Sequence, residues 1–116
     1  MTNSFKKLFE SQVEFQKMVT GDSTLPRDNI ANFSYHVQAM VEEMGEVMKA
    51  DKRWKTHRNT RFVPEEKLDE IADVFITAMN IAIHSGFTAE DVEVVIRLKI
   101  SDNFRRWEEK ADDSNC

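Results

Sequence analysis

The chain of 116 residues has one cysteine, two prolines and three glycines. A lone cysteine, Cys116, allows neither an internal disulfide nor a cysteine-based zinc site, and it suits a reducing, cytoplasmic setting. So few turn-formers exclude a many-stranded sandwich or barrel, which needs a turn about every 8–12 residues. The glycines stand at positions 21, 45 and 86, too far apart for a phosphate-cradling glycine loop or a dinucleotide fingerprint. Long apolar runs are missing too. The longest is broken by Asp73, Thr77 and Asn80, and lysines occupy the first eight residues, where a signal peptide needs an apolar core. Neither export nor membrane insertion is expected. Positive charge is in deficit: 16 basic residues stand against 21 acidic, a net charge of −5. That balance argues against a nucleic-acid partner or an anionic membrane surface, both of which need clustered lysine and arginine. Small ligands and metal ions remain as partners.

What is present is helical periodicity. Phe5, Leu8, Phe9, Gln12, Val13, Phe15 and Gln16 lie near helical spacing and Gly21 offers a stop, which predicts a first helix over 4–20. The stretch from Gly21 to Asn32 contains Pro26 and reads as a loop. Val37, Met40, Val41, Met44 and Met48 form an apolar stripe that predicts a second helix over 33–51, with Gly45 its weak point. Between Lys52 and Arg61 the acidic chain gathers five lysines and arginines together with His57. Pro64, Glu65 and Glu66 open a third helix that Gly86 should end. Thr88 and Asp91 resemble a capping pair for a fourth helix running through Val92, Val95, Ile96, Lys99, Asn103, Phe104 and Trp107. Residues 1–110 read as a single all-α domain of four-helix-bundle type, and 111–116 as a disordered tail. At this length a monomer covers its core poorly, so a homodimer or homotetramer is expected to complete it.

The third helix is apolar almost all round from Ile71 to Ile83 and should be buried on every side. Its polar residues Glu66, Glu70, Asp73, Thr77, Asn80 and His84 follow the spacing 4, 3, 4, 3, 4, which lines them along one stripe. That stripe either faces solvent or faces something polar. The second helix repeats the pattern: Glu43 and Glu46 have the same three-residue spacing as Glu70 and Asp73, placing each pair on one face about 60° apart. Buried together, four carboxylates repel one another unless a hard cation sits among them, and an all-oxygen donor set suits Mg²⁺ or Mn²⁺. The lack of any Glu-x-x-His sequence argues against a ferritin-like di-iron bundle. Glu46 also lies roughly opposite the apolar stripe, as a solvated glutamate does, and Glu42 reads as a bystander.

Glu43-x-x-Glu46, a gap of 23 residues and Glu70-x-x-Asp73 resemble the ExxE and ExxD signature of all-α nucleoside triphosphate pyrophosphohydrolases, the group of MazG-like enzymes and dimeric dUTPases. Lys99-x-x-x-Asn103-x-x-Arg106 is similar to the phosphate-contacting pattern of the dimeric dUTPases. The resemblance covers residues 33–107. It implies Mg²⁺ held by Glu43, Glu46, Glu70 and Asp73, which also carry the catalysis, and cleavage of a nucleoside triphosphate to monophosphate and pyrophosphate. The chain is much shorter than a full-length dimeric dUTPase, which leaves the base open.

That chemistry needs cations beside a triphosphate and a carboxylate to take a proton from water. Lys99, Asn103 and Arg106 share one helical face and suit phosphate oxygens; the alternative is a solvated helix end. Trp54, between Arg53 and Lys55, is either a ring that stacks on a base, with Lys55 beside it as a further substrate contact, or a packing anchor. Asn80 shares the stripe with Asp73 and is a base or ribose contact. Gln12 and Gln16 lie on one face of the first helix and only loosely resemble the uracil-reading glutamine of dimeric dUTPases. His36 and His84 read as satisfied structural histidines and His57 as a surface residue. The competing reading is a non-catalytic helical regulator that dimerises and whose carboxylates are merely solvated.

Overall fold

The computed structural model describes residues 4–23, 25, 28–55 and 61–114. Four helices and no strand occur among them: α1 Ser4–Thr20, α2 Ile30–Asp51, α3 Pro64–His84 and α4 Ala89–Ser114. The fold is all-α, as the sequence predicts. Local signals set most of the ends. Gly21 and Gly86 follow α1 and α3 with φ of 67° and 92°, a backbone region closed to most side chains. Pro64 opens α3 with Glu65 and Glu66 in its first turn. A reciprocal cap opens α4: the Asp91 backbone N–H donates to Thr88 Oγ1 at 3.1 Å, and the Thr88 N–H donates to Asp91 Oδ2 at 2.9 Å.

Two ends differ from the sequence reading. Helix α2 begins at Ile30, three residues early, because Asn29 is its cap and accepts a hydrogen bond from the Asn32 N–H at 2.8 Å. Helix α4 continues to Ser114, so 111–114 extend the helix rather than belonging to a tail, while 115 and 116 lie outside the described residues. The exit from α2 uses Lys52 in the left-handed region, φ 47°, a position usually given to glycine.

Helices α2 and α3 form an antiparallel hairpin. Lys67 near the start of α3 donates to Asp51 at the end of α2 at 2.7 Å, and Asn32 near the start of α2 meets His84 at the end of α3 at 2.9 Å. Helix α1 runs parallel to α3 through a polar ladder: Gln12 Nε2 donates to Asn80 Oδ1 at 2.8 Å, and Gln16 Oε1 lies 2.9 Å from His84 Nε2. The core is small and sits where α1, the end of α3 and the start of α4 meet. It consists of Phe9, Ile83 and Ala89, with Phe5, Val13, Leu25, Met79, Ala82 and Val92 packed against them.

Much of the apolar surface stays open within one chain. Of the predicted apolar stripe of α2, Val37 and Met40 are half-buried while Val41, Met44 and Met48 are exposed, and the covered face of α2 also carries His36, Glu43 and Val47. Helix α3 is likewise not buried on every side, since Leu68 and Phe75 stand exposed. Along α4 the apolar stripe rises from 4% exposed at Ala89 to 45% at Ile96, 50% at Ile100, 67% at Phe104 and 72% at Trp107. The gradient follows from its direction: α3 and α4 bend by 116° at their link, so α4 leaves the body after its first turns. The radius of gyration is 18.4 Å, against about 13 Å for a compact domain of this length. No single described helix is long and apolar enough to cross a membrane.

Candidate metal centre

The α2–α3 hairpin places Glu43 opposite Glu70 and Asp73. One carboxylate oxygen from each of the three lies within 4.8 Å of the others. Helical spacing produces this directly: Glu70 and Asp73 are one turn apart on the side of α3 that turns toward α2, and Glu43 lies on the face of α2 that α3 covers. Glu43 and Glu70 are half-buried and Asp73 is exposed, so the cluster opens at the side of the hairpin. Glu46 stands outside the three-oxygen group, about half exposed, with Lys49 Nζ 3.5 Å from its carboxylate. Glu42 is exposed and turned away from α3.

The electrostatics match the crowding. Glu70 is pushed above the ordinary glutamate range by burial first, then by the negative charges of Asp73, Glu46, Glu43 and Asp69. Among the described residues no lysine or arginine forms an ion pair with Glu43, Glu70 or Asp73. The nearby cations are engaged elsewhere: Lys52 lies 3.8 Å from Glu66, and Lys67 and Arg53 both bind Asp51 at 2.7 Å. Three hard oxygen donors with no described lysine or arginine paired to them form a set into which Mg²⁺ or Mn²⁺ fits chemically.

The polar stripe of α3 divides at Thr77. Below it, Glu70 and Asp73 face the open side. Above it, α1 absorbs the polar groups: Asn80 accepts from Gln12, and His84 lies between Gln16 and Asn32. His36 stacks on His84, and both rings are buried. Thr77 donates to the Val74 carbonyl at 2.8 Å. Asn80, expected to contact base or ribose, is thus held by Gln12 about 10 Å along the helix axis from Asp73.

The remaining expected contacts lie apart from the cluster. The Trp54 indole N–H donates to the Met48 carbonyl at 2.7 Å, closing the end of α2, while its ring stays half exposed with Lys55 Nζ 5.4 Å from its centre. The anchoring role is therefore filled, and the ring face is still open. Lys99, Asn103 and Arg106 share one exposed face of α4, where Arg106 donates to Asn103 Oδ1 at 2.6 Å and pairs with Asp102 at 3.0 Å. Helix α4 packs on α1 and meets the hairpin where its start joins the end of α3, and no described hydrogen bond or ion pair joins Lys99, Asn103 or Arg106 to the carboxylates. His57 and the rest of 56–60 lie outside the described residues.

Sequence reasoning passed over Asp51, which fixes the closed end of the hairpin through Arg53 and Lys67, with its carboxyl held well below the usual range by those two donors. It placed Gln12 and Gln16 on one face of α1 but not their partners, for which a signal existed: the two repeat the four-residue spacing of Asn80 and His84, as two parallel helices in register require. No family model, no curated protein and no solved structure matches this chain.

Proposed function

We propose that the chain is a Mg²⁺-dependent nucleoside triphosphate pyrophosphohydrolase of MazG-like type, with Mn²⁺ as an alternative metal, acting in nucleotide-pool house-cleaning in the cytoplasm as a homodimer or homotetramer. The observation that carries this reading is the convergence of Glu43, Glu70 and Asp73 from two helices, with no lysine or arginine among the described residues paired to them. Glu43, Glu70 and Asp73 would hold the ion, with Glu46 at its edge. When bound, the ion supplies positive charge to phosphate oxygens whose negative charge grows during cleavage. Hydrolysis joins a water oxygen to the α-phosphorus while the α–β bridging bond breaks. The electron pair leaves with pyrophosphate, and the water's proton passes to a carboxylate of the cluster.

The Gln12–Asn80 amide pair lies about 10 Å along α3 from Asp73, close to the span from phosphate to base, and an amide can pair with a base edge. Trp54 keeps an open ring face and Lys55 sits beside it. The test is product identity. A panel of nucleoside and deoxynucleoside triphosphates incubated with Mg²⁺ should yield one monophosphate and one pyrophosphate per turnover for at least one member. Diphosphate and orthophosphate as products, or no hydrolysis across the panel, would contradict the reading.

A further inference from the structure

We propose that the ion pair between Lys67 of α3 and Asp51 of α2 is a positioning device, which holds the carboxylates of the two helices at cation-binding distance against their own repulsion. Deleting the positive charge of Lys67 then weakens cation binding, contrary to simple charge counting; this rests on the reading of the cluster as a metal site.

The pair is well fastened. Lys67 Nζ lies 2.7 Å from Asp51 Oδ2, and the two side chains, 29% and 20% exposed, make the most sheltered of the described ion pairs. Shelter from water and salt leaves the attraction less screened than on an open surface. Arg53 grips the same carboxylate through Nε at 2.7 Å and Nη2 at 2.8 Å, and its guanidinium lies 4.1 Å from the centre of the Phe62 ring. The Lys67 ammonium lies 5.9 Å from that ring. The end of α2, the residue before α3 and the start of α3 are thereby joined at one point. Lys52 and Glu66, 3.8 Å apart and more exposed, add a looser strap at the same end.

The cluster lies close to this point. Along α3, Glu70 and Asp73 stand about 4.5 and 9 Å from Lys67, and along α2, Glu43 stands about 12 Å from Asp51. At the opposite end Asn32 meets His84, about 16 Å beyond the carboxylates. Packing between the two rows is incomplete. Met44, Val47, Ile71 and Val74, which adjoin the carboxylates in sequence on both helices, line an open notch of about 270 Å³. Apolar contacts that leave such a gap do not fix the spacing of the rows by themselves. The carboxylates, within 4.8 Å of one another, push the rows apart, and the nearest sheltered tie across the hairpin is Asp51 with Lys67.

Two roles for Lys67 therefore predict opposite signs. As a bare positive charge one turn before Glu70 it would repel a cation, and its removal would tighten metal binding. As a tie it keeps Glu70 and Asp73 opposite Glu43, and its removal loosens the donor set.

The experiment titrates Mn²⁺ alone into metal-free protein and follows the free ion by electron paramagnetic resonance. Lys67→Met keeps the length of the side chain without its charge, and its Kd should rise about tenfold, as for other partners that orient metal ligands. Lys67→Arg restores both charge and pairing and should bind close to wild type. Lys49→Met provides the sign of a bare charge: Lys49 pairs with Glu46 within α2 at 3.5 Å and ties nothing across the hairpin, so its loss should tighten binding. Mn²⁺ affinity in Lys67→Met equal to or above that of wild type would overturn the proposal. A metal-free arm reads the spacing itself. Nitroxides at Glu42→Cys and Ala72→Cys, in a Cys116→Ser background, should give a narrow distance distribution by pulsed resonance with Lys67 present and a longer or broader one in Lys67→Met. Asp51→Asn, which breaks the tie from the α2 side, should part the labels in the same way, with helix content by circular dichroism unchanged. Distances unaltered by both changes would overturn the proposal. If even the wild type binds no Mn²⁺, the metal reading fails, while the label distances still decide whether the tie holds the rows together.

Discussion

His84 of α3 stacks on His36 of α2 with ring centres 4.1 Å apart and planes inclined by 20°, and both rings are buried. Asn32 Nδ2 meets His84 at Nδ1 and Gln16 Oε1 meets it at Nε2, so both ring nitrogens have polar neighbours at 2.9 Å. Tyr35 meets the His36 ring edge-on.

The pH dependence of stability follows. Burial first, and His84 second, push His36 below the ordinary histidine value. In a window reaching down from pH 6.5 the unfolded chain therefore binds more protons than the folded one. The stabilisation is complete above 6.5 and declines as pH falls through it. The melting temperature should drop between pH 7.5 and 5.5, and His36→Gln should flatten that slope. An unchanged slope in the variant would show that another group sets it.

Glu70 has the opposite sign. Its folded-state value is raised, so its charged form is disfavoured, and metal-free stability should fall as pH rises from the ordinary glutamate value upward. Glu70→Gln relieves the crowding and should melt higher than wild type in chelator at pH 7. Millimolar Mg²⁺ should raise the melting temperature of the wild type and raise that of the variant less. Identical curves with Mg²⁺ and with chelator would remove the metal from the account.

Lys52 holds a left-handed backbone at the exit of α2, where a side chain costs about 1 kcal/mol relative to glycine. Lys52→Gly should raise the melting temperature by about 4 °C, even though its contact with Glu66 at 3.8 Å is lost. A decrease would mean that the ion pairs of Lys52 outweigh the backbone relief.

Legibility in the sequence divides by the range of the interaction. Pro64, Gly86 and the Thr88–Asp91 cap act within a few residues, and the ends they mark are where the structure has them. Asn29 caps just as locally, but the apolar stripe begins only at Val37, and a reading that starts from periodicity opens α2 at residue 33, too late. The stripe of Val37, Met40, Val41, Met44 and Met48 shows that α2 has an apolar face without showing what covers it, and within one chain only Val37 and Met40 of the five are half-buried. The carboxylates were legible because two helices repeat one spacing, and the hairpin brings Glu43, Glu70 and Asp73 together. That Glu46 lies just outside, and that α4 carries its basic face away, depend on interhelical angles that no spacing encodes.

The central claim, that the carboxylate cluster drives hydrolysis, is tested most directly by comparing two nearly isosteric changes, Glu70→Gln in the cluster and Glu109→Gln near the end of α4. Glu109 pairs with Arg105 at 2.7 Å on an exposed surface. With the nucleotide that the panel identifies and saturating Mg²⁺, Glu70→Gln should lower turnover by about 10²-fold or more, because a charged ligand opposite Glu43 is lost. Glu109→Gln should retain the wild-type rate. Equal rates for wild type and Glu70→Gln would contradict the account.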